Sequence, residues 1–209
     1  MKRALPKLSG KQIAICGLRE SGKTVLAKHL LRMEPSHLIY DPQGEYPPSE
    51  FGRDRVYRPT DDPNAEVSQA EELDMLIRKV VKPMAIKGKL NLFVIDETDL
   101  PCPNGERPPF YIRDMISSGR HWSPTGDKGL TVVYVFRRPS EVYTRIIELA
   151  DYRIIFTLTG RNDRKYLSDL LVGFDDTVFE LPEYHFAIHH RRDSEGHDYD
   201  KCRPVPLTK

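Results

Sequence analysis

Residues 17–24 read Gly17-Leu-Arg-Glu-Ser-Gly22-Lys23-Thr24, a segment that begins with glycine and contains a Gly-Lys-Thr triplet. It matches the pattern G-x-x-x-x-G-K-[ST], in which glycines allow the backbone to wrap closely around a phosphate chain. The preceding residues, Gln12–Cys16, are predicted to form a buried strand, and the following residues, Thr24–Met33, a helix. A strand, a glycine loop and a helix in this order predict a phosphate-binding loop, because backbone N–H groups and the helix N-terminus both attract an anion.

Each residue of this loop has an expected task. Lys23 is expected to reach the β- and γ-phosphates of a nucleotide, and the Thr24 hydroxyl is expected to ligate Mg²⁺. The other residues of the predicted nucleotide site contribute mainly their backbone: Gly17, Leu18, Arg19, Glu20, Ser21, Gly22 and Val25. A glycine turn with an incidental lysine and threonine is the alternative interpretation, and the strand–loop–helix context disfavours it.

A second motif supplies two carboxylates. Leu92-Phe-Val-Ile-Asp96-Glu97 is an apolar run that ends in acids, and the carboxyl ends of strands are where open α/β sheets bind ligands. We expect Asp96 to hold Mg²⁺ and Glu97 to orient and deprotonate an attacking water. The second acid favours hydrolysis by water, and the sequence lacks the Asn-Lys-x-Asp motif of GTP-binding proteins, so ATP is the expected nucleotide. A solvated strand end is the alternative.

Apolar runs alternate with helical patterns along most of the chain, which predicts an α/β fold with a mostly parallel sheet flanked by helices. Further strands are predicted at His37–Tyr40, Arg55–Arg58, Leu90–Ile95, Leu130–Phe136 and Arg153–Leu158. Helices are predicted at Ser68–Val81, Phe110–Ser118 and Ser140–Ala150, and in a segment with Tyr166, Leu167, Leu170 and Leu171 on one face. Ser68 and Glu71 form a predicted capping box, and Pro83 is predicted to stop that helix.

We predict a single domain over residues 1–209, with a core from about residue 12 to residue 190 and a polar tail from residue 193 to residue 209. Val178–Leu181 and His185–His190 predict a closing β-hairpin around Pro182. The pattern contains no internal repeat and no linker.

Composition excludes several classes of protein. Hydrophobic residues make up 39% and charged residues 30% of the chain, as in soluble globular proteins, and no apolar run is long enough to span a bilayer. No apolar segment follows Met1–Gly10, so we expect no secretory signal and a cytoplasmic protein. The three cysteines are scattered, which argues against a disulfide framework and a zinc knuckle. A net charge of +1 provides no global basic field.

Three more segments carry a resemblance to a known family. Asp41-Pro42-Gln43-Gly44-Glu45-Tyr46 resembles the Asp-Pro-x-Gly-Glu-Tyr segment of HerA-type ATPases, and Val135-Phe136-Arg137-Arg138-Pro139-Ser140 resembles a strand ending in Gln-Arg-Pro-Ser. Gly119-Arg120-His121 precedes that strand, and Tyr184 to His190 resembles the closing β element. Together these segments resemble the FtsK–HerA superfamily of RecA-like ATPases from about Gln12 to His190. Arg137 departs from the pattern, since a sensor glutamine is usual there.

The resemblance implies a RecA-like core that hydrolyses ATP with Mg²⁺ and moves double-stranded DNA as a homo-oligomeric ring, with a hexamer expected. The chain is most similar to the compact genome-packaging ATPases of membrane-containing icosahedral viruses. This implies the host cytoplasm or the virion as location, and a viral capsid or membrane vertex as a partner. The loops Pro101–Pro109, with Arg107, and His121–Gly129, with Lys128, are the candidates for DNA contact.

The arginines have expected roles in hydrolysis. A guanidinium near the γ-phosphate stabilises transition-state charge, and in ring ATPases it often comes from the neighbouring subunit. The resemblance implies that Arg120 is this finger and that Arg137 is a sensor within its own subunit. Arg137 or Arg138 remains the alternative finger.

Two other classes of function are open. The first is an ATP-dependent switch or assembly protein that does not move DNA. The second is a small-molecule kinase, which Glu97 disfavours and which needs an arginine-rich lid that the sequence does not indicate.

Overall fold

The computed structural model describes residues 9–60, 62, 65–125, 129–171 and 181–190, and the backbone of residues 200–202. The eight described strands are β1 (Gln12–Cys16), β2 (His37–Tyr40), β3 (Val56–Tyr57), β4 (Leu92–Ile95), β5 (Thr131–Phe136), β6 (Tyr152–Phe156), β7 (Phe186–His190) and β8 (Asp200–Cys202). They form one sheet in the order β3-β2-β4-β5-β1-β6-β7-β8.

The first six strands of this order pair in parallel, and β7 pairs antiparallel with both β6 and β8. The predicted fold class is therefore confirmed: a mostly parallel sheet with a C-terminal antiparallel hairpin. The hairpin differs in detail from the prediction. Leu181 lies in no strand, the other residues of the predicted first arm (178–180) lie outside the described part of the chain, and β6 and β8 are the strands that pair with β7.

The helices lie on both faces of the sheet. They are α1 (Lys23–Met33), α2 (Pro48–Phe51), α3 (Gln69–Leu76), α4 (Lys82–Ile86), α5 (Phe110–Ser118), α6 (Thr144–Leu149) and α7 (Arg161–Leu170). Side chains of β1 alternate between two apolar layers, with Ile13 and Ile15 packed against α1 and with Ala14 and Cys16 on the other face. Within the described residues, no helix has the length and the hydrophobicity to cross a membrane.

The predicted stop at Pro83 is wrong. Ser68 forms the capping box with Glu71 at the start of α3, as predicted, but the helical path continues through a π turn at Ile77–Val81 into α4, where Pro83 is among the first residues. The Lys82 N–H donates to the carbonyl of Ile77, five residues back. This wider turn accommodates the proline because the carbonyl that its ring would otherwise meet is displaced.

The helix predicted over Ser140–Ala150 begins later, at Thr144. The residues before it bond to the loop after β4 instead, since the Tyr143 N–H donates to the Cys102 carbonyl (2.8 Å) and the Asn104 N–H donates to the Glu141 carbonyl (2.8 Å). Tertiary contacts therefore override the helical preference of this segment.

Candidate functional site

The glycine loop lies between β1 and α1 at the carboxyl edge of the parallel strands. The Gly17 N–H donates to the Arg137 carbonyl (3.2 Å) after β5, and the Leu18 N–H donates to the Thr157 carbonyl (3.1 Å) after β6. Because β1 lies between β5 and β6 in the sheet, both neighbouring strands fix the start of the loop.

Two positions in the loop require glycine. Gly17 has φ 153° and Gly22 has φ 106°, conformations that other residues rarely adopt. A Cβ atom on Gly17 would lie 2.5 Å from the Cβ atom of Phe156, and one on Gly22 would lie 3.2 Å from the ring of Phe156. The loop therefore packs closely against Phe156, a contact that the sequence did not indicate.

The loop ends in the N-terminus of α1. Gly22 is the N-cap and provides no side-chain cap, so the N–H groups of Lys23, Thr24 and Val25 have no acceptor in the helix. These groups are available to an anion at the end of the helix that carries partial positive charge. The predicted phosphate-binding geometry is thus built from backbone donors.

Lys23 is buried and lies among charged groups. Its Nζ donates to the Leu18 carbonyl (2.7 Å). Burial lowers the pKa of Lys23, whereas the carboxylates of Glu97 and Asp96 favour its charged form. The ammonium group is therefore close to both acids, as a lysine that contacts terminal phosphates next to a metal site must be.

Asp96 directly follows β4 and is 4% exposed. Burial raises its pKa to about 6, although the hydrogen bond from the Glu97 N–H and the nearby Tyr46 hydroxyl oppose the shift. A cation would offset the unfavourable burial of this carboxylate. The Thr24 hydroxyl and the Asp96 carboxylate are hard oxygen donors, the type that Mg²⁺ prefers, so the residues at this edge fit Mg²⁺.

Glu97 has φ 46°, a left-handed conformation that is uncommon for a residue with a side chain. Its Oε1 accepts two hydrogen bonds from the Arg137 guanidinium, one from Nη2 (3.0 Å) and one from Nε (3.3 Å), and its Oε2 lies 3.0 Å from Nε as an ion pair. These bonds raise the pKa of Arg137. The residue in the predicted sensor position therefore holds the predicted general base, and the strained backbone aims Glu97 towards Arg137.

The Asp41–Tyr46 segment supports Asp96 from the neighbouring strand β2. The buried Asp41 carboxylate accepts from the N–H groups of Glu45 (2.9 Å) and Tyr46 (3.0 Å), and Gly44 has φ 74° in the resulting turn. The Tyr46 side chain is fully buried, and its hydroxyl contacts the Asp96 carboxylate. The Asp41–Tyr46 turn thus has a physical role, which is to place the Tyr46 hydroxyl beside the predicted metal ligand.

Other charged groups lie at or away from this edge. Asp99, which the sequence analysis did not select, follows Glu97 by two residues, and burial raises its pKa to about 6. Arg120 lies at the opposite, amino edge of the sheet: its carbonyl is near Gly10, which precedes β1. Its exposed guanidinium contacts the His121 ring, with Nε 3.1 Å from Nε2. The structure therefore brings Lys23, Asp96, Glu97 and Arg137 together and leaves Arg120 outside the site of its own chain.

No protein-family model matches this sequence, and no curated protein matches it. Solved structures do match. The genome packaging NTPase B204 from Sulfolobus turreted icosahedral virus 2, in complex with sulfate, superposes with a TM-score of 0.74 at 19% identity, over 94% of this chain and 97% of that one. The same protein in complex with AMPPCP gives a TM-score of 0.70 at 20% identity.

Two other proteins share the architecture. The DNA-packaging ATPase B204 from Sulfolobus Turreted Icosahedral Virus gives a TM-score of 0.72 at 17% identity, over 95% of this chain and 99% of that one. The pCW3 conjugation coupling protein TcpA gives 0.62 at 15% identity, over 90% of this chain and 59% of that one. The chain therefore has the P-loop ATPase fold that its resemblance to the FtsK–HerA superfamily predicted.

Proposed function

We propose that this protein is a Mg²⁺-dependent ATPase that moves double-stranded DNA as a homo-oligomeric ring and packages a viral genome. The observation that carries the proposal is the set of four charged side chains at the carboxyl edge. These side chains are Lys23, Asp96, Glu97 and Arg137, and they lie close to the first N–H groups of α1, which have no acceptor in the helix. Glu97 would be the general base for hydrolysis by water. The fold shared with packaging ATPases over nearly their full length supports the same conclusion.

In the proposed reaction, the loop residues Gly17–Val25 surround the phosphates, and the N–H groups of Lys23, Thr24 and Val25 at the start of α1 donate to them. Lys23 exchanges its bond to the Leu18 carbonyl for oxygens of the β- and γ-phosphates. Glu97 accepts a proton from the attacking water, and Arg137 fixes the direction in which its carboxylate points. When bound by Thr24 and Asp96, Mg²⁺ would supply charge neutralisation on the β- and γ-phosphate oxygens.

We assign the additional positive group that stabilises the negative charge on the γ-phosphate to Arg120 of a neighbouring subunit. Arg120 is exposed and lies at the edge of the sheet opposite to its own phosphate-binding loop, so it is suited to serve another copy. A ring in which the carboxyl edge of one subunit faces the next subunit closes with such head-to-tail contacts. We propose a hexamer that acts in the host cytoplasm or the virion, at a capsid or membrane vertex.

The test is ATP hydrolysis with and without double-stranded DNA, beside a measurement of particle mass in ATP. We expect DNA to accelerate hydrolysis and ATP to favour a ring. Lys23→Ala is the control and should lose most nucleotide affinity or turnover, because no other basic residue replaces the point charge that the loop holds at this position. Slow hydrolysis that ignores DNA would instead identify an ATP-dependent switch or assembly protein.

A further inference from the structure

A cavity of about 540 Å³ lies apart from the phosphate-binding loop, between the loop after β4, α5 and the start of α6. We call it the arginine pocket, because Arg107, Arg113 and Arg145 line it. One acid, Glu106, is also in the lining. The cavity thus contains three guanidinium groups and a single carboxylate.

The three arginines are not neutralised within the described part of the chain. None of them lies within 4.0 Å of a carboxylate oxygen there, whereas Arg32, Arg137 and Arg138 each form an ion pair. Arg113 donates from Nε to the Pro108 carbonyl (2.9 Å), which orients its side chain. Arg107 and Arg145 are exposed. Like charges gathered on a concave surface repel each other, so an anion that enters the pocket removes an unfavourable interaction.

The other lining groups suit a phosphodiester. Asn104, Ser117 and Thr144 place amide and hydroxyl groups beside the arginines. Guanidinium, hydroxyl and amide donors are the groups by which proteins contact phosphate oxygens of nucleic acid. Because Arg107 and Arg145 are exposed, a polymer can reach them without entering the protein core.

The pocket is built on the two chain segments that begin at the catalytic pair. Glu97 is the second residue of the connection from β4 to α5, and Arg137 is the first residue of the connection from β5 to α6. Asn104 ties the two together, since its N–H donates to the Glu141 carbonyl (2.8 Å) and its side-chain amide donates to the Ser140 carbonyl (3.0 Å). A change at the Glu97–Arg137 pair can therefore move both walls of the pocket.

We propose that the arginine pocket binds the phosphodiester backbone of double-stranded DNA and moves with the nucleotide site during hydrolysis. The inference rests on the proposed function, because it names the surface through which the motor holds its track. It also selects between the two loops predicted for DNA contact: Pro101–Pro109 contributes Arg107, whereas Lys128 lies outside the described residues.

The test is the double variant Arg107→Gln/Arg145→Gln, whose DNA affinity is measured by fluorescence anisotropy over a series of salt concentrations. Each lost phosphate contact should make the slope of log K against log [salt] less steep by about 0.9, so the double variant should lose about 1.8. At about 0.1 M salt this corresponds to roughly 50-fold weaker binding. Hydrolysis without DNA should equal that of the parent, which also shows that the variant folds.

The matched control is Lys87→Gln/Lys89→Gln. These lysines are exposed and precede β4, at the amino edge of the sheet, so the control removes the same charge from a surface remote from the pocket. We expect it to keep most of the affinity and the salt slope of the parent. Arg107→Lys/Arg145→Lys retains the charges and should recover most of the salt slope.

The outcomes separate the two proposals. If the parent binds DNA and hydrolyses ATP faster with it, but the pocket variant binds as tightly as the lysine control, the pocket assignment is wrong and the motor function stands. If the pocket variant loses affinity for inorganic phosphate or free ATP but not for DNA, the ligand is a small phosphate compound and the DNA assignment is overturned. If the parent neither binds DNA nor responds to it, the motor function itself fails.

Discussion

The charged side chains at the two edges of the parallel sheet differ in burial and in their contacts. At the carboxyl edge, Lys23 and Asp96 are buried and the Glu97 carboxylate is held by Arg137. At the amino edge, Arg120 is exposed and its guanidinium contacts only the adjacent His121 ring within the described residues. Charges at the first edge lie close to one another, whereas the charge at the second edge is exposed to solvent.

This difference indicates how catalysis would be divided between subunits. Groups that must align a water and a metal need fixed geometry, which burial and mutual hydrogen bonds provide. A group that reports the position of a neighbour needs to be free of its own chain. If so, groups from the carboxyl edge of one subunit and the amino edge of its neighbour act on the same nucleotide.

The largest expected effect is that of Arg120→Ala. An arginine finger contributes about 10³–10⁵ in rate, so this variant should bind ATP and fold normally but hydrolyse it very slowly. Mixing it with Glu97→Gln should create interfaces in which both groups are intact, and the mixture should recover activity that neither variant shows alone.

Arg137→Ala is the control for this mixing experiment. Arg137 bonds to Glu97 within one chain. Every chain in a mixture of Arg137→Ala with Glu97→Gln therefore lacks one of the two groups, and the mixture should recover less of its loss. Full activity of Arg120→Ala, or recovery with Arg137→Ala alone, would assign the finger to Arg137 or Arg138.

Glu97→Gln tests the base at the carboxyl edge. General-base catalysis typically contributes about 10²–10⁴ in rate, and glutamine keeps the shape of the side chain without accepting the proton. The turnover number should fall by that factor, while ATP affinity, measured with a fluorescent analogue, should change little. Glu148→Gln, at an exposed position, should behave as the parent; loss of ATP affinity in Glu97→Gln would show that the residue binds rather than catalyses.

Asp96→Asn tests how much the burial of the charged Asp96 carboxylate lowers the free energy of unfolding of the metal-free protein. The pKa of Asp96 in the folded protein is about 6, above its ordinary value of 3.8, so the folded state binds this proton more tightly than the unfolded chain. The free energy of unfolding therefore falls as pH rises between these values, and the cost persists above pH 6. Asparagine carries no charge, so Asp96→Asn removes this destabilisation.

The variant should therefore be more stable than the parent at about pH 7.5, by at most about 3 kcal/mol, and should gain little at about pH 4. Urea unfolding in a chelator measures both differences. The exposed residue Asp54 provides the control Asp54→Asn, which should change stability little at either pH. An equal gain for Asp96→Asn at both pH values would exclude burial of the charge as the cause.

The smallest expected effect is that of Arg137→Met, which removes the donors to Glu97 but keeps an extended side chain. Hydrogen bonds to charged groups contribute about 1.5–3 kcal/mol, and partial exposure of both side chains reduces this. The turnover number of Arg137→Met should fall by about tenfold. That of Arg137→Gln, which retains a hydrogen-bond donor, should fall by less. An increase in turnover would show that Arg137 restrains Glu97 instead of aligning it.

Local patterns predicted the carboxyl edge well. The glycine loop, the strand before Asp96 and the helix Phe110–Ser118 are where the sequence places them, because their signals are local: glycine spacing, unbroken apolar runs and helical periodicity. The capping box of Ser68 is also a short-range contact. Features of this kind depend on residues a few positions apart.

Long-range contacts explain what the sequence analysis missed. Three contacts join segments that are distant in the chain: the packing of Phe156 against Gly17, the hydrogen bonds from Arg137 to Glu97, and the approach of Tyr46 to Asp96. The late start of α6 has the same origin, since the residues that precede it bond to the loop after β4. The position of Arg120 relative to another subunit is a property of an assembly and stays a prediction.

The most direct test of the proposed motor is displacement of a third DNA strand from a triplex that stands in its path along a duplex. We expect the parent to release the third strand with ATP and Mg²⁺. A non-hydrolysable analogue should give no release, and Glu97→Gln should give none with ATP. Release should also slow on replacing Arg107 and Arg145 with glutamine. A parent protein that hydrolyses ATP on this DNA but leaves the triplex intact would contradict the claim that hydrolysis moves the protein along DNA.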